Sequence, residues 1–431
     1  MIRFGPSGIP LSCKGRTLRD GIEDVHNLGL TAMEVQLVRV NLNERFASEE
    51  EIGHTIRDVA GEIVVRISRQ QDRRVTFISD LATPIERGDV LHSLASGVAR
   101  DYIELAGLGQ IARELDIELS LHAPYYMDFA DVDGLALKSM DSVVWGGLIA
   151  DVLQARVVVT HLGRYGELEP AAALERVRAN LAAVRERYRA AKLSPLVGIE
   201  ASGLQEVIGS LDELLWVSKA VKGVVPVLNF AHLHAREGGL LRRPEDFEAV
   251  FEKVEKVSEG HFHAHFSGVE HSGGNEIRYT PIKKGDLRFE PLAEALLEDA
   301  RDLTLISSSP LLEHDAMYMR VIQDRVVAKK LGKPLADSIL PPAPPAKAIP
   351  LIKVPVQAPP RRPPKRPAAK KPKARPKPKK APARKKKPAR KRPPKRAARK
   401  KPKPRPRAKP KKAGRKRSKA KRANRPARGK R

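Results

Sequence analysis

The sequence lacks the residues from which several common sites and scaffolds are made. Cys13 is the single cysteine among 431 residues, which excludes an intramolecular disulfide and a zinc site built on thiolates. No stretch approaches the roughly 18 apolar residues of a membrane span, and the N-terminus has no uninterrupted apolar segment of the kind that directs secretion. A reducing compartment is the simplest interpretation, so we expect a cytoplasmic protein with no membrane span.

Acidic residues are missing from the C-terminal segment, residues 341–431. This segment has 41 Lys or Arg and no Asp or Glu, whereas residues 1–340 have 40 basic and 51 acidic residues. It also lacks Phe, Tyr and Trp, on which nucleic-acid bases would stack. Because charge repulsion and dense proline oppose a packed core, we predict a disordered tail rich in Lys, Arg, Pro and Ala.

Short apolar runs alternate with amphipathic stretches through residues 1–340. Eight such alternations predict an α/β fold, a (β/α)8 TIM barrel followed by the disordered basic tail. After the second strand, residues 44–98 form an insertion in which "GEIVVRISRQQDRRVTFISD" predicts a hairpin outside the barrel. The predicted strands are Ile2–Phe4, Ala32–Leu37, Glu118–His122, Val157–His161, Leu196–Glu200, Val225–Phe230, His261–Phe266 and Leu303–Ile306.

Polar residues end five of these strands. The active site of such a barrel forms at the C-terminal ends of its strands, so these side chains are expected to converge on one rim. Imidazole and carboxylate groups at one rim are typical ligands of zinc or another divalent transition metal. The strand-end residues are His122, His161, Glu200, Asn229 with His232, and His265.

The seventh strand carries three histidines at alternate positions, in "GHFHAHFSG". Alternation places all three imidazoles on one face and the phenylalanines on the other. We expect Phe262 and Phe266 to face the helices and the histidines to point into the barrel. His261 is then at the bottom, His263 in the middle layer, and His265 at the rim.

The ordered set "HAPYY", "THLG", "GIEAS", "NFAH", "HAHFSG" and "SSSPLLEHDAM" resembles the endonuclease IV family, which belongs to the xylose isomerase-like TIM barrels and incises DNA at abasic sites. The resemblance covers residues 1–332 apart from the insertion. It implies a xylose isomerase-like barrel for residues 1–340 and a three-metal centre at the rim. By this resemblance, His122, His161 and Glu200 hold the first metal, and that set of ligands is complete.

The ligand sets that the resemblance implies for the second and third metals are depleted. An aspartate and a glutamate of the second set correspond to Asn229 and Ser308, beside His265. In the third set His232 and Glu276 match, but Tyr279 stands in place of a histidine. Clustered cations need anionic ligands, so the loss of two carboxylates favours one or two ions over three. The expected ion is zinc, with manganese as the alternative.

The resemblance and the charge also predict contacts with DNA. Tyr125 matches an aromatic residue that probes the duplex in the family, and Arg39 is a candidate phosphate contact. In composition the tail resembles those of linker histones, and flexible Lys and Arg bind phosphates by releasing counterions. We therefore expect association with the nucleoid or chromatin, although charge alone leaves an anionic membrane surface and ribosomal RNA as alternatives. Representative tail residues are Lys370, Lys371, Arg384, Lys385, Lys386 and Lys387.

Together these features favour a zinc-dependent apurinic/apyrimidinic endonuclease-like hydrolase that acts on abasic or damaged DNA. Glu200 is the candidate catalytic residue, because it would bridge the metals and orient the attacking water. Two alternatives stay open: a non-catalytic protein that binds or compacts DNA and has a degenerate metal centre, and a sugar isomerase or epimerase of the same barrel superfamily. The sequence leaves the oligomeric state open.

Overall fold

The computed structural model describes residues 1–298 and 301–332. The predicted tail, with its six representative Lys and Arg residues, and the predicted domain boundary at residue 340 lie outside the described residues. Among the described residues, none of the helices combines the length and the hydropathy needed to cross a bilayer.

The described chain alternates strands and helices, as its hydrophobic pattern predicts. The strands are β1 (Ile2–Pro6), β2 (Ala32–Gln36), β3 (Leu42–Phe46), β4 (Val64–Gln71), β5 (Arg74–Ile78), β6 (Val90–Leu94), β7 (Glu118–His122), β8 (Val157–Thr160), β9 (Leu196–Glu200), β10 (Val224–Asn229), β11 (Phe262–Phe266), β12 (Gly268–Ser272), β13 (Asn275–Thr280) and β14 (Leu303–Ser307). The helices are α1 (Leu18–Asn27), α2 (Tyr102–Glu114), α3 (Leu135–Leu153), α4 (Pro170–Ala190), α5 (Leu211–Ala220), α6 (Phe230–Arg236), α7 (Pro244–Glu255), α8 (Phe289–Glu298) and α9 (Glu313–Lys330).

Eight parallel strands form a nearly closed barrel, which confirms the predicted fold class. Their order is β1-β14-β11-β10-β9-β8-β7-β2. All eight are the strands predicted from the sequence, with ends displaced by a residue or two. Between β1 and β2 the strand pairing is reduced to one isolated bridge, Ser7 to Glu34. Gly5 lies against β2 there, and a Cβ on Gly5 would stand 1.8 Å from the carbonyl oxygen of Ala32, so only glycine permits this approach.

Local signals in the sequence set the starts of several barrel helices. Pro170 and Pro244 occupy the first turns of α4 and α7, where a missing N–H is tolerated. Ser210 caps α5 by accepting a hydrogen bond from the backbone of Glu213, whose side chain bonds back to the cap. Each helix start sets where the preceding loop ends. These loops follow the strand ends, which carry the candidate site.

The insertion is larger than the predicted hairpin. It contains a four-stranded antiparallel sheet in the order β3-β6-β4-β5, and the hairpin is only its β4–β5 part. The sheet covers a small core of its own, which includes Ile56, Val64, Ile67 and Leu91. The prediction of a hairpin alone was incomplete because β3 has only half-buried and exposed residues, and so gives no apolar run.

The seventh barrel strand, β11, has the predicted two-faced character. Phe262 packs edge-on against Phe251 of α7, and Phe266 packs in the same way against Phe289 of α8. The three histidines that alternate with these residues lie inside the barrel and are buried. His261 lies at the bottom, where its Nδ1 is 2.9 Å from a carboxylate oxygen of Asp302, just before β14. The predicted orientation of both faces is confirmed.

Candidate metal centre

The predicted strand-end residues converge on one open pocket at the C-terminal rim of the barrel. The pocket has a volume of about 910 Å³. The aromatic rings of Tyr125 and Tyr126 stand at its mouth and meet edge to face. Arg39 is exposed and does not line this pocket, and its phosphate contact stays a prediction. The predicted residues that line it are His122, Tyr125, His161, Glu200, His232, His265, Glu276, Tyr279 and Ser308.

Three of these residues form a compact set of ligand atoms. Nε2 of His122 lies 2.9 Å and Nδ1 of His161 lies 3.5 Å from Oε2 of Glu200. Their candidate ligand atoms all lie within 4.8 Å of one another. The residues end, or directly follow, the adjacent parallel strands β7, β8 and β9, and hydrogen bonding between these strands fixes their spacing.

Hydrogen bonds and burial prepare this set for a cation. Nδ1 of His122 donates to the carbonyl oxygen of Ala123 at 2.6 Å, so Nε2 is the atom presented to Glu200. Burial lowers the pKa of His161 to about 4, which keeps its ring neutral. Burial alone would raise the pKa of Glu200, but the charge of the neighbouring His265 holds it well below its ordinary value. Two imidazoles and one carboxylate on rigid strands fit a zinc site with an open position.

Asn229 faces this set with its nitrogen rather than its oxygen. Its Nδ2 donates to Oε1 of Glu200 and to the phenol oxygen of Tyr279, each at 2.7 Å. Its Oδ1 accepts the backbone N–H of His232 at 3.2 Å and so caps α6. An amide NH2 has no lone pair for a metal, so in this orientation Asn229 offers no ligand atom, and its role as a ligand stays a prediction. The residue instead holds Glu200 in place.

His232, Glu276 and Tyr279 meet as the resemblance implies, but as a chain of polar contacts. Nδ1 of His232 lies 2.5 Å from Oε2 of Glu276, and Nε2 lies 2.8 Å from the phenol oxygen of Tyr279. Burial and the nearby Glu200 raise the pKa of Tyr279 well above its ordinary value, so the phenol keeps its proton. Nδ1 of His232 makes no hydrogen bond within the described residues and faces Glu276 only as an ion pair, so His232 and Glu276 remain predicted ligands.

Beside the site lies a buried carboxylate, that of Glu34, which was not among the predicted strand-end residues. Oε2 of Glu34, on β2, is 2.9 Å from Nε2 of His265, whose Nδ1 is 2.8 Å from Oε1 of Glu200. Burial alone would lower the pKa of His265, but the two glutamates raise it to about 10. The available signal was the run "AMEVQ", in which Glu34 and Gln36 share the inward face of a buried strand.

Ser308 reaches the pocket without compensating for the carboxylate that the resemblance implies there. Its hydroxyl is buried and has no hydrogen-bond partner among the described residues. The sequence therefore placed a neutral group correctly at the rim, and the structure adds no anion beside it. The carboxylate that His265 does contact besides Glu200 is Glu34, on β2.

Comparisons with known proteins agree on the barrel. A family model described as a xylose isomerase-like TIM barrel matches residues 93–307. An uncharacterized protein of Methanocaldococcus jannaschii is 27% identical over 211 residues, which are 47% of this chain and 76% of that protein. A D-tagatose 3-epimerase-like protein superposes with a TM-score of 0.51 and 16% identity, over 77% of this chain and 98% of that one.

Endonuclease IV from Thermus thermophilus superposes with a TM-score of 0.48 and 18% identity, over 75% of this chain and 99% of that one. At such identities the likeness concerns the fold. It does not distinguish an endonuclease from an epimerase, because function depends on the side chains of the site and not on the fold.

Proposed function

Because the chain is a xylose isomerase-like TIM barrel, we propose that it is a zinc-dependent phosphodiester hydrolase of the endonuclease IV type, which acts at abasic or damaged sites in DNA. The observation that carries the proposal is the convergence of His122, His161 and Glu200 on the floor of the open rim pocket. The depleted second and third ligand sets limit the comparison with the family to this first metal.

The surroundings of the three ligands suit hydrolysis. A zinc ion bound there would supply Lewis-acid polarisation of a phosphate oxygen and a water of lowered pKa. Glu200 stays ionised and is held by Asn229, so its carboxylate keeps a fixed orientation toward the pocket. The phenol of Tyr279 lines the same pocket and stays protonated, so it adds no negative charge beside a bound phosphate.

The mouth of the pocket offers apolar surface to a nucleotide. Tyr125 is 78% exposed and Tyr126 45% exposed. Ile277, on the β13 strand, is also exposed and lines the same pocket. Bases and sugars stack on such rings with little sequence preference, which suits recognition of a lesion rather than of a sequence.

The charge distribution supports DNA as the partner. Residues 1–340 carry more acidic than basic residues, so the barrel by itself is repelled by a phosphate backbone. Residues 341–431 carry 41 Lys or Arg and no acid, and we assign them the role of a tether. A tether raises the effective concentration of DNA at the rim, so weak affinity of the pocket is sufficient.

The proposal is tested by zinc content and by incision of a duplex with one abasic site. We expect wild-type protein to retain zinc and to cut the strand, and Glu200→Gln to cut at least about a hundredfold more slowly. His314→Asn is the matched control, since His314 is exposed on α9 and contacts none of these residues.

Three results would contradict the proposal. Absence of both zinc and incision would leave a non-catalytic DNA-binding protein with a degenerate centre. Zinc binding without incision, but with epimerisation of a ketose, would place the chain with the sugar epimerases. Full incision by Glu200→Gln would remove the role given to that residue.

A further inference from the structure

We propose that Glu34, His263 and His265 form a second zinc site inside the barrel, beneath the rim site. This site does not depend on the proposed hydrolase activity. Two of its residues, Glu34 and His263, lie outside the ligand sets that the resemblance implies, and Glu34 restores one of the two carboxylates lost at Asn229 and Ser308.

The distances between the three side chains suit a metal ion. Oε2 of Glu34 lies 2.9 Å from Nε2 of His265 and 3.4 Å from Nε2 of His263. The candidate ligand atoms of all three residues lie within 4.8 Å of one another. Zinc bonds of about 2.0–2.1 Å in a tetrahedron separate neighbouring ligand atoms by about 3.3 Å, so small shifts convert this arrangement into three ligands of one ion.

The barrel itself presents the three ligands. His263 and His265 alternate on the inward face of β11, and Glu34 lies on the inward face of β2. In the sheet, β1 and β14 separate these two strands, so the side chains meet across the interior. All three are at most 4% exposed, which makes the site a dry one held by rigid strands.

Neighbouring groups orient the ligands as metal sites require. Oε1 of Glu34 accepts hydrogen bonds from Ser7 at 3.1 Å and Gln36 at 3.0 Å, which turns Oε2 toward the imidazoles. Nδ1 of His265 lies 2.8 Å from Glu200, the carboxylate–histidine arrangement common behind zinc ligands. With Nδ1 donating to Glu200, Nε2 faces the Glu34 carboxylate at 2.9 Å, so either a proton or a metal ion lies between these two atoms.

His263 favours a metal ion over a proton as that cation. Its side chain is buried, its Nδ1 has no hydrogen-bond partner among the described residues, and its Nε2 has only the long contact of 3.4 Å to Glu34. Buried polar groups in folded proteins are normally paired, and hydrogen bonding leaves this imidazole poorly accounted for. A zinc ion shared with His265 gives its Nε2 a full partner.

A third cluster serves as an internal comparison. The ligand atoms of His234, His271 and Asp286 also lie within 4.8 Å of one another. However, Nδ1 of His234 accepts the backbone N–H of Leu241, so its Nε2 carries the proton and donates to Asp286 at 3.2 Å. Arg242 binds the same carboxylate at 3.2 Å. These groups satisfy one another, and we expect no metal there.

The test counts zinc in the full chain. Purified protein is saturated with zinc, freed of excess by gel filtration, and analysed by inductively coupled plasma mass spectrometry. We expect two zinc ions per chain in the wild type, one in His122→Asn, one in His263→Asn, and two in the control His271→Asn. A single ion in the wild type that is lost in His122→Asn and retained in His263→Asn would overturn the proposal.

A second measurement needs no variant, because His263 is buried and its replacement also perturbs packing. Zinc-saturated wild-type crystals are measured at the zinc absorption edge. We expect an anomalous peak about 2.0–2.2 Å from Glu34, His263 and His265, in addition to a peak at His122 and His161. A peak at the rim alone would refute the inner site while leaving the rim site standing, and neither readout depends on incision.

Discussion

Replacing Glu34 by glutamine should destabilise the zinc-free protein strongly. The Glu34 carboxylate is fully buried and accepts hydrogen bonds from Ser7, Gln36 and His265. A glutamine oxygen can still accept from Ser7 and Gln36, but the imidazolium of His265 keeps only Glu200 as a counter-charge. The lost charge-assisted hydrogen bond costs about 1.5–3 kcal/mol. With the buried charge left half-compensated, we expect a total of about 3–5 kcal/mol.

The measurement is urea unfolding of the full chain in EDTA at pH 7, followed by circular dichroism. Glu186→Gln is the matched control, because Glu186 forms an exposed ion pair with Arg189 on α4, and its loss should leave the midpoint unchanged. A loss of less than about 1 kcal/mol in Glu34→Gln would show that the His265 imidazolium does not depend on Glu34, and would refute the electrostatic reasoning.

Three further predictions concern the core, the pH and the tail. Phe266→Ala should lower the free energy of unfolding by about 3–5 kcal/mol in urea titrations, whereas Phe46→Ala, at a ring 73% exposed, should change it little. In EDTA, the stability that depends on a neutral His161 is complete above pH about 6.5 and is lost as the pH falls toward its pKa of about 4. In this window, the plot of unfolding free energy against pH should have a shallower slope for His161→Asn than for the wild type. Equal slopes would contradict the assignment. Removing residues 341–431 should weaken binding to every DNA sequence, as measured by fluorescence anisotropy. The slope of log K against log salt should become shallower by about 0.9 for each phosphate contact that is lost. An unchanged slope would show that the tail does not contact the DNA phosphates.

The barrel was predictable from the sequence because its strands are buried on both faces. Such strands read as short apolar runs, and all eight were found within a residue or two. The insertion was predicted less well. Of its four strands, β4 carries the apolar run "VVRIS", whereas β3 has no buried residue, so its partner in the sheet decides that it is a strand.

The rim site was predictable in part for a related reason. His122, His161 and Glu200 mark the ends of adjacent strands, and parallel strands bring their ends together wherever they pair. Asn229 was predicted as a ligand from its residue type, which does not reveal which end of an amide faces the site. Its oxygen is used by the first turn of α6, and this leaves the nitrogen for Glu200.

The sequence by itself determined the eight strands, the segregation of positive charge into residues 341–431, and the alternation that turns the histidines of β11 inward. It did not determine which side chains those histidines contact. Glu34 lies 231 residues before His265, on a strand whose acidic side chain falls short of the strand end. Only closure of the barrel brings β2 and β11 within reach of each other, because that contact crosses the interior and follows from no local pattern.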